Sequence, residues 1–169
     1  YLKLRGTIAK IGSVNISAYE LDDLAYKNSA FPYGSLTGYY ISRALRNSNI
    51  KPEFTTEYEI GVELGLLKDR IVFEAAAYHQ KTTDQTVSIS LPISTGSASQ
   101  YINAGTMIGK GIELDLKLTP LFELGDFSCN LNANASFSKS EVKELYGDVS
   151  ELNIYSAVYA MLGKAYPYI

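Results

Sequence analysis

The sequence of 169 residues contains no tryptophan, one cysteine and one histidine. The lone cysteine, Cys129, forms no disulfide within the chain and fits a small apolar residue of a strand. Because His79 is the only histidine, any catalytic constellation built on histidine would depend on it. These shortages predict that the chain is not an enzyme, and they provide neither a metal site nor a site for another cofactor.

The chain also has no large excess of charge of either sign and no long run of apolar residues. The net charge of -3 gives no electrostatic basis for binding nucleic acid. No run of about 18 apolar residues is present, so the sequence predicts no transmembrane helix. Since the chain opens on Leu2-Lys3-Leu4-Arg5, it also predicts no secretory signal. The hydrophobic fraction of 46% and the charged fraction of 20% predict a folded domain.

Apolar and polar residues alternate strictly in residues 111–119. The even positions are apolar and the odd positions are polar or small, which predicts a β-strand with one apolar and one polar face, at roughly residues 106–119. The same kind of pattern predicts four further strands, at about residues 2–11, 56–66, 71–79 and 127–138. The predicted fold class is therefore all-β, with about five long antiparallel strands.

The connections between these strands alternate in length. Two short turns are predicted, at residues 67–70 and at residues 121–126, where Pro120 would end the preceding strand. In an antiparallel sheet with this alternation, all short turns lie at one end and all long loops at the other. This arrangement is typical of outer-membrane barrels. The long loops are predicted at about residues 12–53, with a short helix near Tyr19–Tyr26, at residues 89–104 and at residues 139–156, with the entry to a sixth strand at residues 163–169.

Strand length and the apolar face separate a membrane barrel from a soluble sandwich. Strands of about ten or more residues are longer than the usual five or six, and when tilted they can cross a hydrocarbon layer. The apolar face carries no charge between its ends, since Lys10 and His79 lie at strand tips. The pattern favours a segment of an antiparallel transmembrane β-barrel with long external loops and short periplasmic turns. A soluble antiparallel β-sandwich, acting as a carbohydrate-binding or adhesion module, remains the alternative from another class.

Four stretches of the chain resemble the barrel of one protein family. Lys51-Pro52-Glu53, followed by Thr-Thr-Glu-Tyr-Glu-Ile-Gly at residues 55–61, resembles a signature of TonB-dependent outer-membrane receptors, and in particular of SusC/RagA-like nutrient importers of Bacteroidota. Three other stretches fit the same family in family order: Leu2-Lys3-Leu4-Arg5 with Lys10-Ile11-Gly12, Tyr78 to Gln85, and Asn103-Ala104-Gly105 with residues 109–114. Gly109 stands where the family commonly has Asn.

This resemblance implies that residues 1–169 are part of a TonB-dependent receptor β-barrel domain of about 22 strands, with the plug domain and TonB box absent. Such a chain would lie in the outer membrane of a Gram-negative cell and import a nutrient such as an oligosaccharide or a peptide. Its partners would be the lipid bilayer, the rest of its own barrel and plug, a SusD-like surface lipoprotein and the TonB complex. A receptor of the same architecture for a siderophore or another ligand is a further alternative.

Candidate site residues follow from the two strand faces and from the loops. The polar face would line the barrel lumen, and lumen lining explains its paired carboxylates better than catalysis because Lys and Arg side chains can pair with them. The lumen-facing candidates are Lys3, Arg5, Glu57, Glu59, Glu63, Glu74, Glu113, Asp115, Lys117, Asn130, Asn132 and Asn134. Loop aromatics can stack on sugar rings or pack among the loops. The external-loop candidates for contact with a ligand or a partner are Tyr33, Tyr39, Tyr40 and Tyr101.

Overall fold

The computed structural model describes residues 1–33, 36–42, 44–45 and 47–168, without the side chains of residues 31–33, 148 and 155. Within these ranges two short 3₁₀ segments occur, and no helix is long and apolar enough to cross a membrane. The strands in chain order are β1 (Leu2–Ser13), β2 (Ala25–Tyr33), β3 (Leu36–Ile41), β4 (Ala44–Leu45), β5 (Glu53–Leu66), β6 (Ile71–Thr83), β7 (Thr86–Ser90), β8 (Ser99–Asn103), β9 (Gly105–Leu124), β10 (Phe127–Leu145), β11 (Glu151–Tyr155) and β12 (Val158–Met161).

Five long strands form one antiparallel sheet in the order β1-β5-β6-β9-β10. They are the five predicted strands, and they contain 12, 14, 13, 20 and 19 residues. Two short turns, at residues 67–70 and 125–126, lie at one end of the sheet, and the long connections lie at the other. The predicted all-β class, the strand lengths and the alternation of connections are confirmed.

The long connections contain small sheets that the sequence pattern did not predict. The first holds the β2–β3 hairpin and β4, the second holds the β7–β8 hairpin, and the third holds β11 and β12. β4 pairs in parallel with β8, so one small sheet joins the first two connections. The predicted helix near Tyr19–Tyr26 is wrong, because Tyr19 has a φ of 62° and β2 begins at Ala25. Residues 163–168, predicted as the entry to a sixth strand, lie outside the five-stranded sheet, and Tyr168 forms an isolated bridge with Tyr159.

Pro120 does not end its strand, contrary to the prediction, since β9 continues to Leu124. β6 pairs with β9 only as far as Leu118, and the register between β9 and β10 then shifts so that residues 119–121 lie opposite Asn130 alone. This arrangement is a β-bulge, in which the ladder of hydrogen bonds is interrupted. A proline is tolerated there because its missing N–H removes no ladder bond.

The register gathers the apolar side chains of all five long strands on one face. Two neighbouring rows across the sheet read Leu4-Val62-Ala75-Leu114-Ala135 and Gly6-Ile60-Ala77-Ile112-Phe137. These rows carry no charge, and Leu4 and Ile60 remain 74% and 69% exposed. The buried apolar residues of the described chain lie instead at the long-loop end: Ile102, Ala104, Val142 and Ala160. The sheet therefore has an exposed apolar face where a soluble layered fold would have a core.

Asn103 ties two of the long connections to the rim of the sheet. Its side-chain amide donates to the carbonyl oxygens of Lys51 at 2.9 Å and Asp84 at 2.7 Å, and to Thr86 Oγ1 at 3.3 Å. Its Oδ1 accepts a hydrogen bond from the Lys51 N–H at 3.0 Å. Three stretches of the family resemblance thus meet at one asparagine, because Lys51, Asp84 and Asn103 each belong to a different one of them.

Replacing Asn103 by Asp keeps the side-chain shape but removes both N–H donors and faces a carboxylate towards two carbonyl oxygens. We expect hydrogen exchange in residues 47–52 and 84–104 to accelerate by an amount equivalent to about 1–3 kcal/mol of lost protection. The measurement is exchange mass spectrometry on the purified full-length protein in detergent. Asn15→Asp, at an exposed loop position, is the matched control; equal exchange in the two variants would show that Asn103 does not hold the loops.

Candidate functional site

Charged side chains from four neighbouring strands meet on the polar face of the sheet. The cross-strand register sets Lys3 opposite Glu63, and Glu63 opposite Glu74. Glu74 in turn lies opposite Asp115. Three carboxylates thus occupy adjacent positions in one row, and like charges placed directly opposite each other are destabilising. Basic side chains have to compensate them.

Glu63 receives two donors at the short-turn end of the sheet. Lys3 Nζ lies 3.2 Å from Glu63 Oε2, and the Tyr1 hydroxyl donates to Glu63 Oε1 at 2.6 Å. The hydrogen bond to this carboxylate raises the pKa of Tyr1, which precedes β1, to about 12. β1 is therefore joined to β5 by side chains as well as by the backbone ladder.

Arg5 and Lys117 bridge the remaining carboxylates of the row. Arg5 Nε lies 3.4 Å from Glu59 Oε1, and Arg5 Nη1 lies 4.0 Å from Glu74 Oε2. Lys117 Nζ lies 3.6 Å from Glu74 Oε1 and 3.5 Å from Asp115 Oδ1. Because all these groups are partly exposed to solvent, each pair contributes little to stability. Two carboxylates that share one lysine suit a charged lining better than an acid and base pair, whose environments must differ.

Arg5 reaches Glu74 because the residue between them is a glycine. Arg5 lies directly opposite Gly61, and its side chain extends over β5 towards β6. A β-carbon at Gly61 would lie 2.5 Å from Arg5 Nε, closer than non-bonded atoms approach. Tyr78 covers Gly111 in the same way, with its hydroxyl 2.6 Å from where a β-carbon of Gly111 would be. Glycines on the polar face thus let large side chains lie flat along the sheet.

The other polar-face candidates have fewer partners. Within the described residues, Glu57 and Glu113 form no salt bridge. Asn132 and Asn134 lie on β10 opposite the charged residues of β9, and Asn130 lies at the bulge. No three His, Cys, Asp or Glu side chains in the described ranges come close enough together to hold a metal ion. Several of these groups nevertheless line one open cavity, whose polar lining is Arg5, Glu74, Glu113, Asp115, Asn134 and Ser136.

The loop tyrosines lie in two different small sheets. Tyr39 and Tyr40 are 67% and 53% exposed on β3, and the Tyr40 ring stacks on Tyr26 of β2 with 5.7 Å between ring centroids. Tyr101 is a half-buried residue of β8. The side chain of Tyr33 lies outside the described residues. Among the four candidate tyrosines, the exposed rings within the described side chains therefore lie on the hairpin of β2 and β3.

Sequence reasoning identified the charged residues of the polar face but missed what positions them. Tyr1, Gly61 and Tyr78 were not among its candidates, although they shape the contacts of Glu63, Arg5 and the neighbouring wall. A usable signal was present, because a glycine inside a strand often marks a close approach of another group. Identifying that group requires the register, which the sequence pattern alone does not supply.

A sequence profile described as TonB dependent receptor-like, beta-barrel, matches residues 2–166. The chain belongs to this family of TonB-dependent receptors. One relative is the TonB-dependent receptor SusC of Bacteroides thetaiotaomicron, 31% identical over 156 residues that cover 86% of this chain and 15% of SusC. Another is the TonB-dependent receptor P26 of Formosa agariphila, 29% identical over 147 residues with the same two shares. The chain thus spans 15% of the length of these curated relatives.

Solved structures show the same barrel fold. The RagAB peptide transporter superposes with a TM-score of 0.85 at 23% identity, over 96% of this chain and 18% of that one. The RagAB peptide importer in its closed-closed state superposes with a TM-score of 0.84 at the same identity and the same shares. TonB-dependent receptors are outer-membrane β-barrels that act as transporters and receptors and not as enzymes. The predicted family, the barrel fold and the absence of an enzymatic role are confirmed.

Replacing Gly61 by Val should separate Arg5 from Glu74, because a side chain at this position occupies the path of the guanidinium group. A double-mutant cycle with Arg5→Gln and Glu74→Gln should give a coupling energy of about 0.2–1 kcal/mol in the native TonB-dependent receptor and almost none in the Gly61→Val background. Gly6→Val is the control, since a β-carbon there meets only one atom, at 4.0 Å. A coupling that survives Gly61→Val would contradict the proposed path of Arg5.

Proposed function

We propose that this chain forms part of the wall of an outer-membrane transporter in a Gram-negative cell, which imports nutrients such as oligosaccharides or peptides. The apolar rows of the five long strands would face the lipid, and the polar face would face the lumen and the plug. The observation that carries this proposal is the pair of uncharged apolar rows, which cross all five strands and lie on the face opposite the bridged carboxylates.

The ion-pair network supports a structural role for the lumen surface. Lys3, Arg5 and Lys117 each have a carboxylate partner within 4.0 Å, so they compensate part of the negative charge of the six lumen-facing carboxylates. Glu57 and Glu113 have no such partner within the described residues and would be free to contact the plug, water or a passing cargo. The remaining lumen-facing candidates, including the asparagines of β10, would add neutral hydrogen-bonding groups to this lining.

Partners of the transporter follow from its relatives and remain part of the proposal. We infer that the TonB complex supplies the energy for import through a plug domain, and that a SusD-like surface lipoprotein covers the long loops. The exposed rings of Tyr39 and Tyr40 on the β2–β3 hairpin would contact that lipoprotein or the cargo. The same contacts are proposed for Tyr33 and Tyr101. Oligosaccharide and peptide cargo are both consistent with aromatic loops, since rings stack on sugars and pack on apolar side chains.

Leu114 and Glu113 are adjacent residues on opposite faces and test the lipid-facing assignment. Leu114→Arg should lower the free energy of unfolding from a bilayer by about 2–4 kcal/mol, because a charge near the midplane must be taken into hydrocarbon. Glu113→Arg, its matched control, should change it by less than about 1 kcal/mol, since its side chain would stay in water. The measurement is reversible unfolding in phospholipid vesicles, and equal costs for the two variants would remove the case for a lipid-facing row.

Cargo uptake separates the transporter proposal from a purely structural role. Deleting the gene should abolish the growth advantage that labelled oligosaccharides or labelled peptides provide, and collapsing the proton gradient should block uptake in the same way. A parallel strain that expresses the protein again from a plasmid controls for polar effects of the deletion. Uptake that persists in the deletion strain for every oligosaccharide and peptide supplied would overturn the proposed import function.

A further inference from the structure

Basic side chains form a band on the apolar face, at the long-loop end of the sheet. We define this band as the basic belt, and all of its members are exposed: Lys10, His79, Lys81, Lys110, Lys139 and Lys143. They come from β1, β6, β9 and β10, so the belt crosses the whole width of the sheet. At the short-turn end of the same face, the rows end in apolar side chains.

The cross-strand register shows how abruptly the charge begins. One row reads Ile8-Tyr58-His79-Lys110-Lys139, and the next row towards the long loops reads Lys10-Thr56-Lys81-Ile108-Glu141. The uncharged rows start immediately on the other side, at Ile112 and Phe137. From Leu118 to Lys110, β9 advances roughly 26 Å at about 3.3 Å per residue. At a tilt of about 40° this length covers roughly 20 Å of an apolar band about 25 Å tall, so the belt lies near one boundary of that band.

Two lysines of the belt lie directly opposite each other. Lys110 pairs with Lys139 on one side and with His79 on the other. Directly opposed side chains have their β-carbons about 5 Å apart, and like charges in such a pair repel. No acidic side chain belongs to this row. Glu141 of the next row attracts both Lys110 and Lys139. An anion from outside the chain, lying between the basic groups, would relieve the remaining repulsion.

The acidic side chains near the basic belt already accept hydrogen bonds from other residues of the chain. Glu141 accepts a hydrogen bond from Lys143, with 2.5 Å between Oε1 and Nζ. Glu144 accepts a hydrogen bond from Thr106 Oγ1 at 2.6 Å. Within the described residues, no salt bridge compensates the other four lysines of the belt: Lys10, Lys81, Lys110 and Lys139. On the polar face the opposite holds, because its three bridging cations each have a carboxylate partner.

We propose that the basic belt binds the phosphate groups of anionic lipid head groups in the leaflet nearer the long loops. The inference rests on the proposed membrane-spanning function. Its occupant must be an amphiphile, because whatever contacts the belt also lies against the uncharged rows immediately beside it. A phosphate group has several acceptor oxygens and can accept from neighbouring lysines at once. Lysines close to a membrane surface attract anionic lipids by this means.

The test uses the full-length protein reconstituted in phosphatidylcholine vesicles with and without phosphatidic acid. Native mass spectrometry then gives the relative affinity for phosphatidic acid over phosphatidylcholine. The triple variant Lys81→Gln, Lys110→Gln and Lys139→Gln should lose about tenfold or more of this preference. Its matched control removes three exposed lysines elsewhere, by Lys27→Gln, Lys51→Gln and Lys164→Gln, and should keep the preference. Added salt should weaken the preference of the native protein and of the control.

The outcomes separate the lipid site from the transporter itself. A native protein that inserts into vesicles but shows no preference for phosphatidic acid overturns the belt proposal alone, and so does an equal loss in both triple variants. A native protein that does not insert into vesicles overturns the proposed wall function as well. If the glutamine variant folds poorly, the charge-conserving double variant Lys110→Arg and Lys139→Arg should still prefer phosphatidic acid, and its loss of preference would contradict the proposal.

Discussion

A peptide group finds no hydrogen-bond partner in lipid, and this constraint governs the rest of the structure. The long strands satisfy it by pairing antiparallel over almost their whole length, from the short turns to the long loops. β1 and the part of β10 near the short turn each keep one unpaired edge within the chain. In the barrel family to which the chain belongs, neighbouring strands occupy such edges and close the sheet.

The apolar and the charged side chains of the sheet are separated onto opposite faces in a way that fits the same constraint. Charge is absent from the apolar rows, where it would be costly, and is concentrated on the polar face, where basic groups bridge neighbouring carboxylates. The individual ion pairs are weak because they are exposed. Their geometry depends on glycine: Gly61 leaves room for Arg5 to cross one strand and reach the next. Backbone hydrogen bonds therefore hold the strands of the wall together, and the polarity of the side chains determines which environment suits each face.

The strand at residues 111–119 can be recognised from the sequence alone because its apolar and polar residues alternate at successive positions. The β2–β3 hairpin has no such alternation, so the sequence pattern predicts a loop there. The rule that a proline ends a strand fails at Pro120, because Pro120 lies in a bulge that forms against the neighbouring strand. The roles of Asn103 and Gly61 involve partners about 20 to 60 residues away in the chain, so only the folded register discloses them.

The most direct measurement is the solvent environment of single spin labels placed in turn at each residue from 112 to 118, in a Cys129→Ser background and in lipid vesicles. The account predicts a period of two. Labels at even positions should collide mainly with oxygen dissolved in the lipid, and labels at odd positions should collide mainly with a water-soluble nickel complex. Uniform accessibility to the nickel complex, or a period close to that of a helix, would contradict the account of this segment as a wall between lipid and lumen.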